Sequence, residues 1–101
     1  MHGIGISDIE ESKLISVLKS YPAVEKAVVY GSRAKGNYKA FSDIDMTLFG
    51  DKLTHSDLIH IYSDIDDLLL PYEMDLSLYK SLNNKALIDH INRVGITIYQ
   101  T

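Results

Sequence analysis

The residues best suited to chemistry lie in one short segment, residues 28–49, which reads VVYGSRAKGNYKAFSDIDMTLF. Gly31 and Ser32 follow an apolar run, and ten residues later come Asp43 and Asp45. A glycine lets a ligand approach the backbone closely, and the amides and hydroxyl of a Gly-Ser turn can bind phosphate oxygens. Aspartates two apart in an extended chain point to one face and can share a Mg²⁺ ion. The segment therefore predicts a site for a phosphorylated ligand and a divalent cation.

Basic side chains are grouped beside these acids. Arg33, Lys35 and Lys39 fall within seven residues that contain no acid. Charge sorted in this way suits a small anionic ligand held together with a cation. The formal net charge of −4 argues against a long nucleic acid as ligand, because that affinity comes from many Lys and Arg side chains.

Each feature alone also has an ordinary structural interpretation. An isolated Ser42-Asp43 can cap a turn or a strand start, and Gly31-Ser32 can simply end a strand. A basic loop is more often just solvated than bound to a ligand. Only the combination of turn, basic loop and paired acids favours a functional site.

Composition sets the scale of the molecule. With 101 residues, 46% of them hydrophobic, the chain fits one compact domain. It has no cysteine, which excludes disulfides and thiolate metal sites and favours a reducing compartment, the cytoplasm. No signal-like run is present, and no apolar stretch approaches the ~20 residues of a membrane-spanning helix, so we expect a soluble protein without a membrane partner.

The hydrophobic pattern predicts an α/β (α+β) fold with the order αββαβαβ, a small mixed sheet with helices packed on it. The predicted helices cover residues 8–20, 56–70 and 83 or 84 to 94, and the predicted strands cover residues 24–30, 44–49, 72–79 and 96–99. A basic loop is expected between the first two strands.

This order brings distant residues together. If the first two strands form an antiparallel hairpin, the Gly31-Ser32 end of one lies beside Asp43 and Asp45 at the start of the other. A strand-helix-strand crossover makes the third strand parallel to the second, so that Asp75 at its start reaches the same edge. Three carboxylates and a glycine turn are therefore expected to converge.

The segment GSRAKGNYKAFSDID resembles the nucleotidyltransferase signature of the polymerase-beta-like superfamily, Gly-Ser, ten residues, then Asp-x-Asp, and is most similar to its minimal, or MNT, branch. The resemblance spans nearly the whole chain and implies a single nucleotidyltransferase domain over residues 1–101. It maps a third family acid onto Asp75 in YEMDLSLY. Glu73 lies on the same predicted strand face, but the family usually has an apolar-Asp-apolar pattern, which Met74 and Leu76 provide around Asp75.

The resemblance implies transfer of a nucleoside monophosphate, usually AMP from ATP, to an acceptor hydroxyl, by positioning and charge neutralisation. It also implies two Mg²⁺ ions and a role for each matched residue. Ser32 and the Gly31 backbone would hold the triphosphate, and Asp43 and Asp45 would bind both ions. Asp75 would bind the catalytic ion and help to deprotonate the acceptor. Arg33 and Lys35 would offset the charge of the departing pyrophosphate.

Larger members of this superfamily append a helical domain that binds the acceptor, whereas this sequence shows none up to Thr101, so the acceptor surface is expected on a partner. Minimal members are typically encoded beside a small helical HEPN-type protein, and some adenylylate and silence a HEPN ribonuclease toxin. The resemblance thus implies an antitoxin that forms a hetero-oligomer with a HEPN-type partner. Two alternatives stay open: a non-catalytic module that neutralises a helical partner by contact, and a transferase acting on a small molecule such as an aminoglycoside.

Other polar residues have weaker claims to function. His55, His60 and His90 lack the spacing of a zinc site and are expected on the surface or on helix faces. Tyr38, in the basic loop, could stack on a base or cover the loop.

Overall fold

A four-stranded mixed sheet lies at the centre of the computed structural model, which describes residues 3–101. Its strands are β1 (Lys26–Tyr30), β2 (Ile44–Phe49), β3 (Met74–Leu78) and β4 (Ile96–Gln100), in the order β3-β2-β1-β4. Strand β1 pairs antiparallel with both β2 and β4, whereas β2 and β3 are parallel. The predicted hairpin and crossover are both confirmed.

Each of the longer helices begins at a polar side chain that caps it. They are α1 (Asp8–Lys19), α3 (His55–Asp66) and α4 (Lys85–Val94). Ser7 and Thr54 each accept a hydrogen bond from the backbone N–H three residues on, and the side chain of that residue accepts one back from the cap. Asn84 caps α4 through the Leu87 N–H. These bonds satisfy amides that have no partner within the helix.

The two faces of the sheet differ in what covers them. Because side chains alternate along a strand, Ile44, Met46 and Leu48 point to the face covered by α1 and α3, where the larger hydrophobic cluster lies. The other face carries Val28 and Tyr30, which pack against α4 in a smaller cluster. Asp45 and Thr47 point to this second face, so the Asp45 carboxylate lies on the opposite side of the sheet from the main core.

Two predicted elements differ from the structure. Residues 31–35 form a short helix, α2 (Gly31–Lys35), where a loop was expected, since five residues are too few to display an amphipathic period. Helix α3 ends at Asp66 rather than at residue 70. Leu69 has a left-handed φ of 57°, and Leu70, which directly precedes Pro71, is disfavoured in a helix, so the helix cannot continue to residue 70. Within residues 3–101, no helix is long and apolar enough to cross a membrane.

Candidate active site

Gly31 joins the two halves of the motif. It follows β1 with a φ of 71°, a left-handed conformation that costs other residues strain. A Cβ atom at this position would overlap Oδ2 of Asp45. The carboxylate therefore packs directly against the Gly31 backbone, which only glycine permits.

Strand register brings the carboxylates together on the α4 face of the sheet. Asp45 is paired with Tyr30 across the antiparallel ladder and with Asp75 across the parallel one. Residues in register point to the same side of a sheet, so Asp45 and Asp75 are neighbours. Asp45 is half-buried, whereas Asp43, just before β2, and Asp75 are exposed. The pairing of Asp45 with Asp75 follows the predicted strand topology.

The charges of this group act on one another. Burial raises the pKa of Asp45, and the neighbouring carboxylates of Asp75 and Asp43 raise it further, while His90 acts in the opposite direction. Burial also raises the pKa of Tyr30, with smaller contributions from Asp75 and Asp45 and an opposing hydrogen bond from Ser77. Repulsion of this kind is relieved when a cation binds between like charges.

The donor set fits a hard divalent cation in its chemistry. Three carboxylates supply the oxygen ligands that Mg²⁺ prefers, and Mg²⁺ usually completes its shell with water and substrate phosphates. In the part of the chain that the structure describes, no three His, Asp or Glu side chains are drawn closely enough together to enclose a metal ion. The three aspartates are thus close enough to interact electrostatically, and binding would require them to move closer.

The predicted phosphate-binding residues lie at the β1–α2 turn, but they are not equally available. Ser32 is half-buried directly after Gly31, and Lys35 is exposed at the end of α2. Both can reach a ligand at the surface. Arg33 differs, because its side chain is fully buried, with no exposed area.

The Arg33 guanidinium holds the loop that carries Asp43. It donates two hydrogen bonds to the Ser42 carbonyl oxygen, at 3.1 and 2.9 Å, and one to the carbonyl oxygen of Ala40, at 3.4 Å. A further bond of 2.8 Å reaches the carbonyl oxygen of Ile4. Since this fork is engaged with backbone oxygens, Arg33 is positioned to fix the residue before Asp43, not to contact a phosphate at the surface.

Aromatic rings enclose this arginine. The guanidinium carbon lies 4.6 Å from the ring centre of Tyr72 and 5.1 Å from that of Tyr38, a favourable cation–π arrangement. Tyr38 also covers Gly5, where a Cβ atom would overlap its ring. Tyr38 therefore lies over the Arg33 guanidinium and the N-terminal segment.

His90 lies on a helix, as predicted, and it also contacts the Gly-Ser turn, which was not predicted. From α4 its Nε2 atom accepts a 3.1 Å hydrogen bond from the Gly31 N–H. Its ring also meets Tyr30 edge-on, with the ring centres 6.1 Å apart. His90 and Gly31 are 59 residues apart in sequence, and no motif or spacing in the chain signals their contact.

A cavity of about 210 Å³ lies elsewhere, near the end of α3, and is lined partly by Phe41, Tyr62, Pro71 and Tyr72. Met74, which also lines it, packs with the larger hydrophobic cluster and so points away from Asp75 on the adjacent position of β3. The carboxylates therefore do not open into this cavity.

A mixed sheet that sets a Gly-Ser turn against an Asp-x-Asp strand, with a third aspartate on the parallel neighbour, defines the nucleotidyltransferase fold. The chain belongs to the polymerase beta nucleotidyltransferase family, whose model matches residues 12–101. That match includes the Gly-Ser turn and all three aspartates, so the chain is a nucleotidyltransferase by family. The resemblance seen in the sequence is confirmed at this level.

Solved structures with the same fold include several toxin–antitoxin complexes. One, a toxin–antitoxin with AMP-PNP, has a TM-score of 0.73 and 22% identity over 90% of this chain and 73% of that chain. Another is a tri-AMPylated Shewanella oneidensis HEPN toxin in complex with MNT antitoxin, with a TM-score of 0.70 and 18% identity over 95% of this chain and 74% of that chain. The MntA-HepT toxin–antitoxin matches with a TM-score of 0.68 and 18% identity, over 94% and 74% of the two chains. No curated protein matches the chain.

Proposed function

We propose that this protein transfers AMP from ATP to a hydroxyl group of a small helical HEPN-type partner, with Mg²⁺, and thereby acts as an antitoxin in the cytoplasm. The observation that carries the proposal is the register pair of Asp45 and Asp75 beside the Gly31 backbone. Family membership supports the reaction class. The choice of AMP and of a HEPN-type acceptor is supported by solved structures with a similar fold, among them an MNT antitoxin in complex with a tri-AMPylated HEPN toxin.

In the proposed reaction the residues mainly position groups and balance charge. Ser32 and Lys35 contact the triphosphate tail, and the Gly31 backbone lets it approach the sheet edge. Asp43, Asp45 and Asp75 would hold Mg²⁺, which when bound neutralises phosphate charge. Arg33, enclosed below the surface, fixes the loop that leads into Asp43.

The transfer step is a substitution at phosphorus. The acceptor oxygen forms a bond to the α-phosphorus of ATP, and the bond from that phosphorus to the pyrophosphate oxygen breaks. The acceptor proton passes to the exposed carboxylate of Asp75 on the edge strand β3. Pyrophosphate leaves with the bonding electron pair.

The test is incubation of the protein with ATP labelled at the α-phosphate, Mg²⁺ and the HEPN-type protein encoded beside it. We expect label on the partner, with at least a hundredfold loss in Asp45→Asn. Asp66→Asn is the matched control, because Asp66 is an exposed residue of α3 on the opposite face of the sheet. No label on the partner, or equal labelling by both variants, would contradict the proposal.

A further inference from the structure

His90 accepts the hydrogen bond of the Gly31 backbone N–H, a donor that the proposed reaction needs for the triphosphate. Its Nε2 atom accepts the Gly31 N–H at 3.1 Å, so the proton of the neutral ring lies on Nδ1 in this arrangement. Burial is partial for both residues. Its ring stands edge-on to Tyr30, the register partner of Asp45, which places the ring on the carboxylate face of the sheet.

One amide hydrogen makes one strong, nearly linear hydrogen bond. A phosphate oxygen that accepted the Gly31 N–H would lie about 2.7–3.2 Å from the nitrogen, along the same direction. The His90 Nε2 atom already stands there. Imidazole and phosphate therefore exclude each other at this amide.

We propose that His90 is a competing internal ligand of the Gly-Ser turn, which the triphosphate displaces when ATP binds. The inference rests on the proposed function and adds a regulatory contact at the same site. Without nucleotide, helix α4 is attached to the turn through His90. With nucleotide, the Gly31 N–H passes to a phosphate oxygen and His90 is released.

The exchange is favourable because the new bond is stronger. A neutral imidazole accepts a bond of ordinary strength, whereas a charged phosphate oxygen forms a charge-assisted one. Breaking the first bond still reduces the net affinity for nucleotide. Removing the acceptor nitrogen should therefore tighten ATP binding, by roughly two- to tenfold, which is the worth of one neutral hydrogen bond.

The test compares His90→Phe with His90→Gln by calorimetric titration with Mg²⁺ and a non-hydrolysable ATP analogue. Phenylalanine keeps a ring against Tyr30 but has no acceptor, whereas glutamine restores one. We expect His90→Phe to bind more tightly than the unchanged protein by that factor, and His90→Gln to bind nearly as the unchanged protein does. His60→Phe, at an exposed position of α3, controls for the loss of an unrelated histidine.

A second measurement uses the unchanged protein and so does not depend on whether a variant folds. With ¹⁵N labelling, scalar coupling across the hydrogen bond between Gly31 N and His90 Nε2 should be present without nucleotide and vanish at saturation. Coupling that persists at saturation, or a His90→Phe affinity no tighter than that of the unchanged protein, overturns this inference alone. Absence of analogue binding by every protein overturns the proposed function and the inference with it.

Discussion

At the scale of single residues, the two left-handed glycines around α2 have different tasks. Gly31 and Gly36 have φ values of 71° and 83°. At Gly36 a Cβ atom would meet nothing within 4 Å, whereas at Gly31 it would overlap the Asp45 carboxylate. A side chain would strain the backbone at both positions, but only at Gly31 would it also collide with the site.

The pair allows the strain and the contact to be separated by substitution. Gly36→Ala should cost about 1–2 kcal/mol of unfolding free energy, the strain of a left-handed backbone, and leave AMP transfer within a few-fold of its original rate. Gly31→Ala should cost about 0.5–1.5 kcal/mol more, because Asp45 must leave its rotamer, and reduce transfer about a hundredfold. Urea unfolding and label transfer measure the two quantities. Equal transfer rates in the two variants would contradict a role for the Gly31–Asp45 contact.

Asp45 is expected to make the folded protein less stable at neutral pH. Its pKa in the folded protein is raised above the ordinary value of 3.8, first by burial and then by Asp75 and Asp43. Between the unfolded and folded pKa values the folded state binds more protons, so stability falls as pH rises through that window. Asp45→Asn should therefore melt at a higher temperature than the unchanged protein at pH 7.

The same variant has a distinctive pH dependence. Below the ordinary Asp pKa, residue 45 is uncharged in the folded and unfolded states of both proteins, so the advantage of Asp45→Asn should disappear. Melting curves from pH 7 down to pH 3, without divalent cations, measure this difference. Asp66→Asn, at an exposed position of α3, is the control substitution. A variant no more stable than the unchanged protein at pH 7 would show that Asp45 is not destabilised by its neighbours.

At the scale of elements, Arg33 connects pieces of structure that are separate in sequence. Its hydrogen bonds reach the segment before α1 through Ile4 and the loop before β2 through Ser42, and its guanidinium faces Tyr72, just before β3. One buried guanidinium thus contacts the N-terminal segment, the loop that carries Asp43 and the residues just before β3. This connection places Asp43 with respect to Asp75.

Arg33→Lys should show whether the fork or only the charge is needed. Lysine keeps the charge but cannot reach several carbonyl oxygens in one plane, so buried acceptors lose partners and stability should fall by about 1–3 kcal/mol. Lys35→Met, two residues away and exposed, should change stability by no more than about 0.5 kcal/mol. Urea unfolding compares them, and hydrogen exchange of residues 37–43 should accelerate only in Arg33→Lys. Equal stability of the two variants would rule out the connecting role.

The sequence predicted the same role for Arg33 and Lys35, whereas in the structure Arg33 is buried and Lys35 is exposed. Local signals placed the starts of the three longer helices to within two residues, and topology rules sufficed to bring Asp45 to Asp75. The direction of the Arg33 side chain depends on carbonyl oxygens as distant as that of Ile4. A motif specifies residue types near a site, whereas burial of a particular side chain is decided by the packing of the whole domain.

The same reason explains His90. Its position on α4 could be predicted, because the sequence indicates a helix from residue 83 or 84 to 94, and the structure has one over Lys85–Val94. Its contact with Gly31 depends on how closely α4 approaches β1. At Gly95 a Cβ atom would overlap both the Ile91 carbonyl oxygen and the Val28 side chain. Such an approach is a property of the packed pair of elements and leaves no pattern in either one.

At the scale of the whole molecule, folding and ligand binding should be coupled through the carboxylate face. The three aspartates lie on two strands and a loop and repel one another around Asp45. They come together only in the folded chain. A ligand that binds this arrangement and not the unfolded chain must stabilise the fold by mass action.

We therefore expect Mg²⁺ with a non-hydrolysable ATP analogue to raise the melting temperature. At a free concentration one hundred times the Kd, the gain in unfolding free energy is about 2.7 kcal/mol, and for a domain of this size each kcal/mol corresponds to about 4–8 °C. Differential scanning calorimetry of the unchanged protein, Asp45→Asn and Asp66→Asn measures it. Asp45→Asn should begin from a higher melting temperature and gain little, whereas Asp66→Asn should gain as the unchanged protein does. An equal rise in all three would place the nucleotide site away from the carboxylate face.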